Sequence, residues 1–223
     1  MKSRIKGIIF DMDGVLLNSA VMHERAFRDV LEPLGVRVFD YSRVTGMRTD
    51  EALRLTLAQN GIPFSLAQVD ALAAEKSRIA RELIAASNPV VPSCAEVLAA
   101  LSGCCSLALA SSASKETVDL FLTRNALTGR FQCVLHGGDV RRAKPEPEIY
   151  ELACQRLELS PAECLIVEDA VSGVRAGKAA GATVWGIPAT CPAQALVDAG
   201  ADRIIHRLEY LLTLTEVHSW LES

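Results

Sequence analysis

A short apolar segment that ends in two acids and a glycine is the feature that most constrains how this chain folds. The run 5–10 is largely apolar, as in a strand that is buried on both faces of a parallel sheet. Asp11 and Asp13 follow at a spacing that directs both carboxylates to one side of an extended chain, and Gly14 allows a sharp turn or the close approach of a ligand. Buried acids are costly unless a cation or a proton transfer uses them. The segment therefore predicts a functional site, with an ordinary acidic turn as the alternative.

Beyond residue 89 the chain alternates between short apolar runs and segments of helical periodicity. This alternation predicts right-handed crossovers and a parallel sheet with helices on both faces. In such sheets ligands bind beyond the carboxyl ends of the strands. We therefore expect the functional loops to follow Phe10, Ala110, His136 and Val167. The predicted strands after the first are 105–110, 133–136, 163–167, 183–187 and 203–205, and the predicted helices are 94–101, 115–125, 147–157, 171–180 and 208–214.

Between the first strand and residue 89 the pattern is helical only. Apolar residues recur at helical spacing over 20–34, with Asn18 or Ser19 as a candidate cap and Gly35 at the end. Further helices are predicted over 51–59 and 66–86. We therefore expect a helical cap domain over 16–88, inserted into a core formed by 1–15 and 89–223.

The composition limits the classes of partner. Half of the 223 residues are hydrophobic, which is enough for one large or two small domains. A net charge of −4 gives no reason to expect nucleic acid or an anionic membrane as a partner. The seven cysteines form no Cys-x-x-Cys pair, which indicates reduced thiols and a cytoplasmic location. We find no signal peptide or membrane-spanning segment, and we expect a monomer that acts on a small molecule.

Two loops at predicted strand ends carry groups suited to an anion. Ser111 and Ser112 lead from a strand into a helix, where hydroxyl and backbone N–H groups bind anions, although plain helix capping is the alternative. Lys144 lies just before a helix start at Pro147, on the expected ligand side of the sheet. The alternative for that residue is a solvated surface lysine.

A second pair of acids, Glu168 and Asp169, ends another apolar strand. Together with Asp11 and Asp13, this pair would bring four carboxyl groups to one edge of the sheet. Repulsion among them needs a cation to offset it, and a site made of oxygen ligands favours Mg2+ over zinc or copper. We therefore predict that these four residues form a magnesium site, with a solvated acidic pair as the alternative.

The four segments, in this order, resemble the motifs of the haloacid dehalogenase superfamily, and the helical insert after the first motif resembles its beta-phosphoglucomutase-like branch. The resemblance implies a Rossmann-like core and phosphoryl transfer through an aspartyl-phosphate. It makes Asp11 the nucleophile and Asp13 the acid and base, while Ser111 and Lys144 hold the phosphoryl group. To act as an acid near neutral pH, Asp13 needs a raised pKa, which burial and a neighbouring carboxylate favour and the metal opposes.

The resemblance extends to the loop 44–51 of the insert, which is similar to the substrate-specificity loop of that branch. In the mutases a Lys usually precedes the Gly of this loop and an Arg follows it by three. Thr45 and Thr49 stand at those places here, and Arg48 lies one place earlier. The absence of these two charges, which would bind a second phosphate, favours hydrolysis of a small monophosphate. The alternative for Arg48 is a solvated residue at a helix start.

His23 and Lys76 match positions that couple cap closure to substrate binding in the mutases, with surface helix residues as the alternative. We predict a magnesium-dependent phosphatase for a sugar or polyol phosphate. A beta-phosphoglucomutase-type mutase is the nearest rival, and a catalytically silent binding protein on the same fold is the other. The predicted substrate-binding residues are Gly46, Arg48, His23, Lys76 and Ser112.

Overall fold

One parallel sheet organises the chain, of which the computed structural model describes residues 5–213. Its six strands lie in the order β3-β2-β1-β4-β5-β6, and each neighbouring pair is parallel. The central strand β1 pairs with both β2 and β4, so the loops after these three strands emerge side by side. The strands are β1 Gly7–Phe10, β2 Ser106–Ala110, β3 Cys133–Leu135, β4 Cys164–Glu168, β5 Thr183–Gly186 and β6 Arg203–Ile204.

The predicted helices are present, with ends that differ by a few residues. One further helix, α8, was not predicted, because its six residues are too few to display a helical period. Short 3-10 turns occupy Glu32–Leu34, Tyr41–Arg43 and Pro161–Glu163. The helices are α1 Ala20–Leu31, α2 Thr49–Gln59, α3 Leu66–Ser87, α4 Cys94–Ser102, α5 Lys115–Arg124, α6 Glu148–Arg156, α7 Val171–Ala179, α8 Ala193–Asp198 and α9 Tyr210–Thr213.

Both faces of the sheet are covered. Successive side chains of a strand point to opposite faces, and on β1 Ile8 and Phe10 pack into one hydrophobic cluster while Ile9 packs into another. The first cluster includes residues of α4 and α5, and the second includes residues of α6 and α7. The apolar run of β1 is therefore buried from both sides, and the predicted α/β class with a Rossmann-like parallel sheet is confirmed.

The helices α1, α2 and α3 form a separate unit, the insert, defined here as residues 20–87. It has its own hydrophobic cluster, which includes Phe27, Leu53 and Val69. The chain segments that enter and leave the insert lie side by side, since Asn18 N–H donates to the Pro89 carbonyl at 2.7 Å. A helical insert after the first strand is thus present, while the domain boundaries at 16 and 88 stay a prediction.

Two further observations concern the cysteines and the helices. All seven cysteines are free thiols, and four of them are buried. Within residues 5–213 we find no helix with the length and apolar character that a bilayer crossing requires. The cytoplasmic location and the monomeric state stay predictions.

Candidate active site

The structure brings side chains from separate loops to the carboxyl ends of the central strands. Asp11 follows β1 directly, and its N–H donates to the Val167 carbonyl of β4 at 3.0 Å. Glu168 is the last residue of β4, and Asp169 comes next. Gly14 has a φ of +86°, and a Cβ there would lie 1.8 Å from the Asp169 carboxylate. A glycine is therefore required at this place if the two acidic loops are to meet.

The Lys144 ammonium lies at the centre of these groups. Its Nζ donates to Asp11 Oδ1 at 2.6 Å and to Glu168 Oε1 at 2.8 Å, and the side chain has no exposure to solvent. The Tyr150 hydroxyl donates to the same Glu168 oxygen at 2.7 Å. Burial lowers the pKa of Lys144, but the charges of Asp11 and Glu168 outweigh this and hold it well above its ordinary value. Lys144 is thus a permanent buried cation and not a solvated surface lysine.

Three carboxylates share this space. Asp11, Glu168 and Asp169 each offer an oxygen, and these oxygens lie within 4.8 Å of one another. Burial is the main cause that raises the pKa of Asp11 to about 8, and burial together with the Glu168 charge raises the pKa of Asp169 well above its ordinary value. One lysine does not balance three acids. The all-oxygen donor set therefore fits a hard divalent cation such as Mg2+.

Asp13 is placed differently from the sequence expectation. Its carboxylate accepts hydrogen bonds from the Ser19 hydroxyl and from His23 Nε2, the latter at 2.9 Å, and it lies outside the group of three carboxylates found among the described residues. Burial alone would raise the pKa of Asp13, but attraction to His23 and the hydrogen bonds from His23 and Ser19 hold it below its ordinary value. The alternation of side chains along an extended strand does not reach Asp13, because β1 ends at Phe10.

His23 and Lys76 form a chain of contacts from the insert to Asp13. Lys76 Nζ donates to His23 Nδ1 at 2.8 Å, so the other ring nitrogen, Nε2, carries the hydrogen that bonds to Asp13. The Lys76 ammonium also lies 4.3 Å from the centre of the Phe27 ring. Burial lowers the pKa of Lys76 to about 8. Both residues are buried, so they are not surface residues of their helices.

The loop 44–51 of the insert contacts the core through its backbone. The Gly46 carbonyl accepts from the Ser112 hydroxyl at 2.8 Å, and the Thr45 carbonyl accepts from the Ser172 hydroxyl at 2.9 Å. Gly46 has a φ of +77°, and a Cβ there would lie 2.4 Å from Ser172 Oγ and 2.8 Å from the Ala170 Cβ. Gly46 thus permits both the turn and the close contact.

Arg48 lies directly before α2, and its guanidinium is already paired with two acids. Its guanidinium donates to both carboxylate oxygens of Asp50, at 2.6 and 3.0 Å, and lies 3.5 Å from Glu51. It lines a cleft of 520 Å³ between the insert and the core, which also contains Ser112 and Arg81. Ser112 also lines a second, smaller cavity beside Asp11, so the two spaces adjoin.

The two predicted serines have different environments. Ser111 is 1% exposed, and its hydroxyl accepts from the Ala113 N–H at 3.1 Å. Ser112 lines a small cavity of about 50 Å³, called here the catalytic cavity, which Asp11 and Asp13 also line. A further set of residues from the insert and the core completes the lining, among them His23, Tyr41, Gly46, Lys76 and Thr190.

A match to a family model shows which family this chain belongs to. Residues 5–181 match the model of the haloacid dehalogenase-like hydrolases. The chain belongs to this family. A phosphorylated carbohydrates phosphatase of Thermotoga maritima is 33% identical over 218 residues, which cover 96% of this chain and 100% of the relative. The predicted superfamily and the predicted hydrolase class are therefore confirmed.

Two further relatives bear on the branch of the family. A beta-phosphoglucomutase of Bacillus subtilis is 28% identical over 226 residues, which cover 98% of this chain and 96% of the relative. The crystal structure of a beta-phosphoglucomutase from Clostridium difficile superposes with a TM-score of 0.84 at 23% identity, covering 98% of this chain and all of the other. At 23% identity, the likeness to the Clostridium difficile structure shows the fold alone.

Three residues of this haloacid dehalogenase-like site were not predicted. Tyr150 lies in the helix after Lys144, and its hydrogen bond to Glu168 can be identified only from the coordinates. The Thr190 hydroxyl donates to Asp169 from the loop after β5, a loop that the strand-end rule could have included. Tyr41 lies in a 3-10 turn of the insert, where neither a strand end nor a helical period marks it.

Proposed function

We propose that this chain is a magnesium-dependent phosphatase that hydrolyses a small phosphomonoester, a sugar or polyol phosphate, through an aspartyl-phosphate. The observation that carries the proposal is the buried Lys144 bridge between Asp11 and Glu168, beside the third carboxylate of Asp169. A fixed cation next to a carboxylate nucleophile offsets the negative charge of an incoming phosphoryl group. The name and near-complete coverage of the Thermotoga maritima relative support the same class of substrate.

In the first step, an Asp11 oxygen forms a bond to phosphorus while the ester P–O bond breaks. The departing alkoxide takes a proton from Asp13. In the second step, Asp13 removes a proton from water, the water oxygen bonds to phosphorus, and the acyl-phosphate bond breaks to return Asp11 and phosphate. The contacts from His23 and Ser19 lower the pKa of Asp13, which keeps its carboxylate in the ionised form that can accept the proton of the water.

Because His23 lies on the insert, the insert helps to set the pKa of Asp13. Asp11, Glu168 and Asp169 would hold Mg2+, which supplies positive charge against the phosphoryl oxygens when bound. Lys144, whose Nζ donates to Asp11, and Ser111 would hold the same phosphoryl oxygens, as the resemblance implies.

Hydrolysis is favoured over a mutase reaction by the loop 44–51. A mutase must hold a second phosphate while the intermediate turns over. Thr45 and Thr49 carry no charge, and the Arg48 guanidinium already pairs with Asp50 and Glu51. A mutase remains the second candidate because the Bacillus subtilis relative covers 98% of this chain.

The test is a panel of hexose 1-phosphates, hexose 6-phosphates and polyol phosphates, with p-nitrophenyl phosphate as a generic substrate, followed by phosphorus NMR. We expect Mg2+-dependent release of phosphate from the wild type and none from Asp11→Asn. Asp119→Asn, on the exposed face of α5, is the matched control and should retain activity. Isomerisation of a hexose 1-phosphate without phosphate release would establish the mutase, and activity in Asp11→Asn would contradict both candidates.

A further inference from the structure

Tyr41 forms a wall between the catalytic cavity and a second space at the surface. Its side chain lines the catalytic cavity together with Asp11 and Asp13. It also lines a cleft of 400 Å³ that opens between α1 and the loop after β5, called here the outer cleft. The two spaces have Ala20 and Thr190 in common besides Tyr41. The other residues of the outer cleft include Val21, Glu24, Arg28, Phe39 and Asp40.

The Tyr41 ring is held in place without its hydroxyl. The ring centre lies 6.1 Å from that of Phe27 and 6.4 Å from that of Phe39, in tilted contacts. The Tyr41 carbonyl accepts from the Val44 N–H at 3.0 Å and from the Thr45 hydroxyl at 2.9 Å. Within residues 5–213 the phenol hydroxyl has no hydrogen-bond partner, so it contributes nothing to these contacts.

The surroundings of the Tyr41 hydroxyl allow it to donate a hydrogen bond to a ligand. Burial, followed by the charges of Asp13, Asp169 and Asp11, raises the pKa of Tyr41 well above its ordinary value. The phenol therefore stays neutral and keeps its proton at any working pH. A neutral O–H donor in the lining of a cavity that Asp11 and Asp13 also line can bind a hydroxyl or ester oxygen of a substrate without adding to the negative charge there.

We propose that Tyr41 determines substrate specificity in two ways. Its hydroxyl donates to a hydroxyl oxygen of the substrate's alcohol part, beside the phosphoester, and its ring closes the catalytic cavity toward the outer cleft. The ring lines the catalytic cavity where it borders the outer cleft, so this wall limits the size of the alcohol on that side. The inference rests on the proposed phosphatase function and names the residue that selects a small polyol or sugar phosphate.

The hydroxyl is tested with two substrates that differ only in their hydroxyl groups, glycerol 3-phosphate and n-propyl phosphate. We expect Tyr41→Phe to lower the ratio of their kcat/KM values by about five- to tenfold, the worth of one hydrogen bond between neutral groups. Ser42→Ala is the matched control, because it removes a hydroxyl from the next residue, which lines the outer cleft and not the catalytic cavity. Its ratio should equal that of the wild type.

The ring is tested by size. We expect Tyr41→Ala, which joins the catalytic cavity to the outer cleft, to raise the kcat/KM for 1-naphthyl phosphate relative to p-nitrophenyl phosphate by about tenfold. Tyr41→Phe keeps the wall and should leave that ratio unchanged. Tyr41→Leu, which keeps more of the packing against Phe27 and Phe39, serves if thermal unfolding shows that the alanine variant is not folded.

The results separate this inference from the function on which it rests. A wild type that hydrolyses neither aryl nor alkyl phosphates overturns the proposed function and this inference with it. A wild type that is active, with equal glycerol-to-propyl ratios in the wild type and Tyr41→Phe, overturns the hydroxyl role alone. An unchanged naphthyl-to-nitrophenyl ratio in a folded variant that lacks the ring overturns the role of the wall.

Discussion

The core side and the insert side of the active site are held by different kinds of contact. On the core side, the Lys144 ammonium bridges Asp11 and Glu168 without exposure to solvent. On the insert side, the carbonyls of Thr45 and Gly46 accept hydrogen bonds from two serine hydroxyls of the core. Removing one partner of a buried ion pair typically costs about 3–5 kcal/mol, whereas a neutral hydrogen bond contributes about 1 kcal/mol.

This difference separates what is fixed from what can move. The charges that meet a phosphoryl group are set when the strands of the core pair, before any substrate arrives. The loop 44–51 of the insert is held to the core by neutral hydrogen bonds, which break and form again more readily than buried ion pairs, so we expect substrate entry to open this contact. Substitutions on the two sides should therefore differ in the size of their effects and in the quantity that they change.

The largest effect is expected for Lys144→Met. The change leaves Asp11 and Glu168 buried without their cation and removes a charge that meets the phosphoryl group. We expect kcat to fall by about a thousandfold or more, with a loss of about 3 kcal/mol in the free energy of unfolding. Lys115→Met, at an exposed ion pair on α5, is the control and should change neither quantity appreciably in kinetics and urea unfolding.

The next effect is a dependence of stability on pH that comes from Lys76. Its pKa is lowered by burial from 10.5 to about 8. Between these values the unfolded chain binds more protons than the folded chain, so the free energy of unfolding rises with pH. We expect the difference between the wild type and Lys76→Met to rise by about 3 kcal/mol across this window in urea unfolding. A flat difference would show that Lys76 is not buried as described.

A smaller effect is expected when the insert loop is displaced. Gly46→Ala places a Cβ 2.4 Å from Ser172 Oγ at a φ of +77°, so the loop must shift away from the core. We expect KM to rise by about tenfold with a smaller change in kcat, because the core charges stay in place. Gly61→Ala is the matched control, since its φ of +67° is strained in the same way but a Cβ there meets no atom within 4 Å. If both variants had the same KM, the contact with the core would not matter.

The smallest effect is expected for the serine contacts themselves. Ser172→Ala removes one hydroxyl that donates to the Thr45 carbonyl, and Ser112→Ala removes the one that donates to Gly46. We expect about a threefold rise in KM for Ser172→Ala, and a larger one for Ser112→Ala because Ser112 also lines the catalytic cavity. Ser102→Ala, outside the site, is the kinetic control. A Ser172→Ala variant indistinguishable from the wild type would mean that the insert is held by other contacts.

The core side was predictable from the sequence because strand ends and topology determine it. The apolar run of β1 indicates a central buried strand, and in a parallel sheet the loops after neighbouring strands meet at one edge. That rule places Asp11, Lys144 and Glu168 together without knowledge of their distances. The structure brings Asp11, Glu168 and Asp169 together beside the buried Lys144, whereas Asp13, the fourth predicted carboxylate, lies outside this group of described residues.

The insert side was less predictable because its contacts join elements with no fixed register. The expected raised pKa of Asp13 is replaced by a lowered one, since His23 arrives from α1 and bonds to its carboxylate. The resemblance alone indicated His23 and Lys76, and no pattern in the sequence indicated Tyr41. Side chains that depend on how one packed unit lies against another need coordinates.

The central claim is that Asp11 is the nucleophile and carries the phosphoryl group as an intermediate. We would measure it in Asp13→Asn with p-nitrophenyl phosphate and Mg2+, because this leaving group needs no acid while the attacking water still needs a base. The account predicts a burst of one equivalent of p-nitrophenol, and peptide mass spectrometry after an acid quench that finds one phosphoryl group on Asp11. Turnover with no burst, or a phosphoryl group on any other residue, would contradict it.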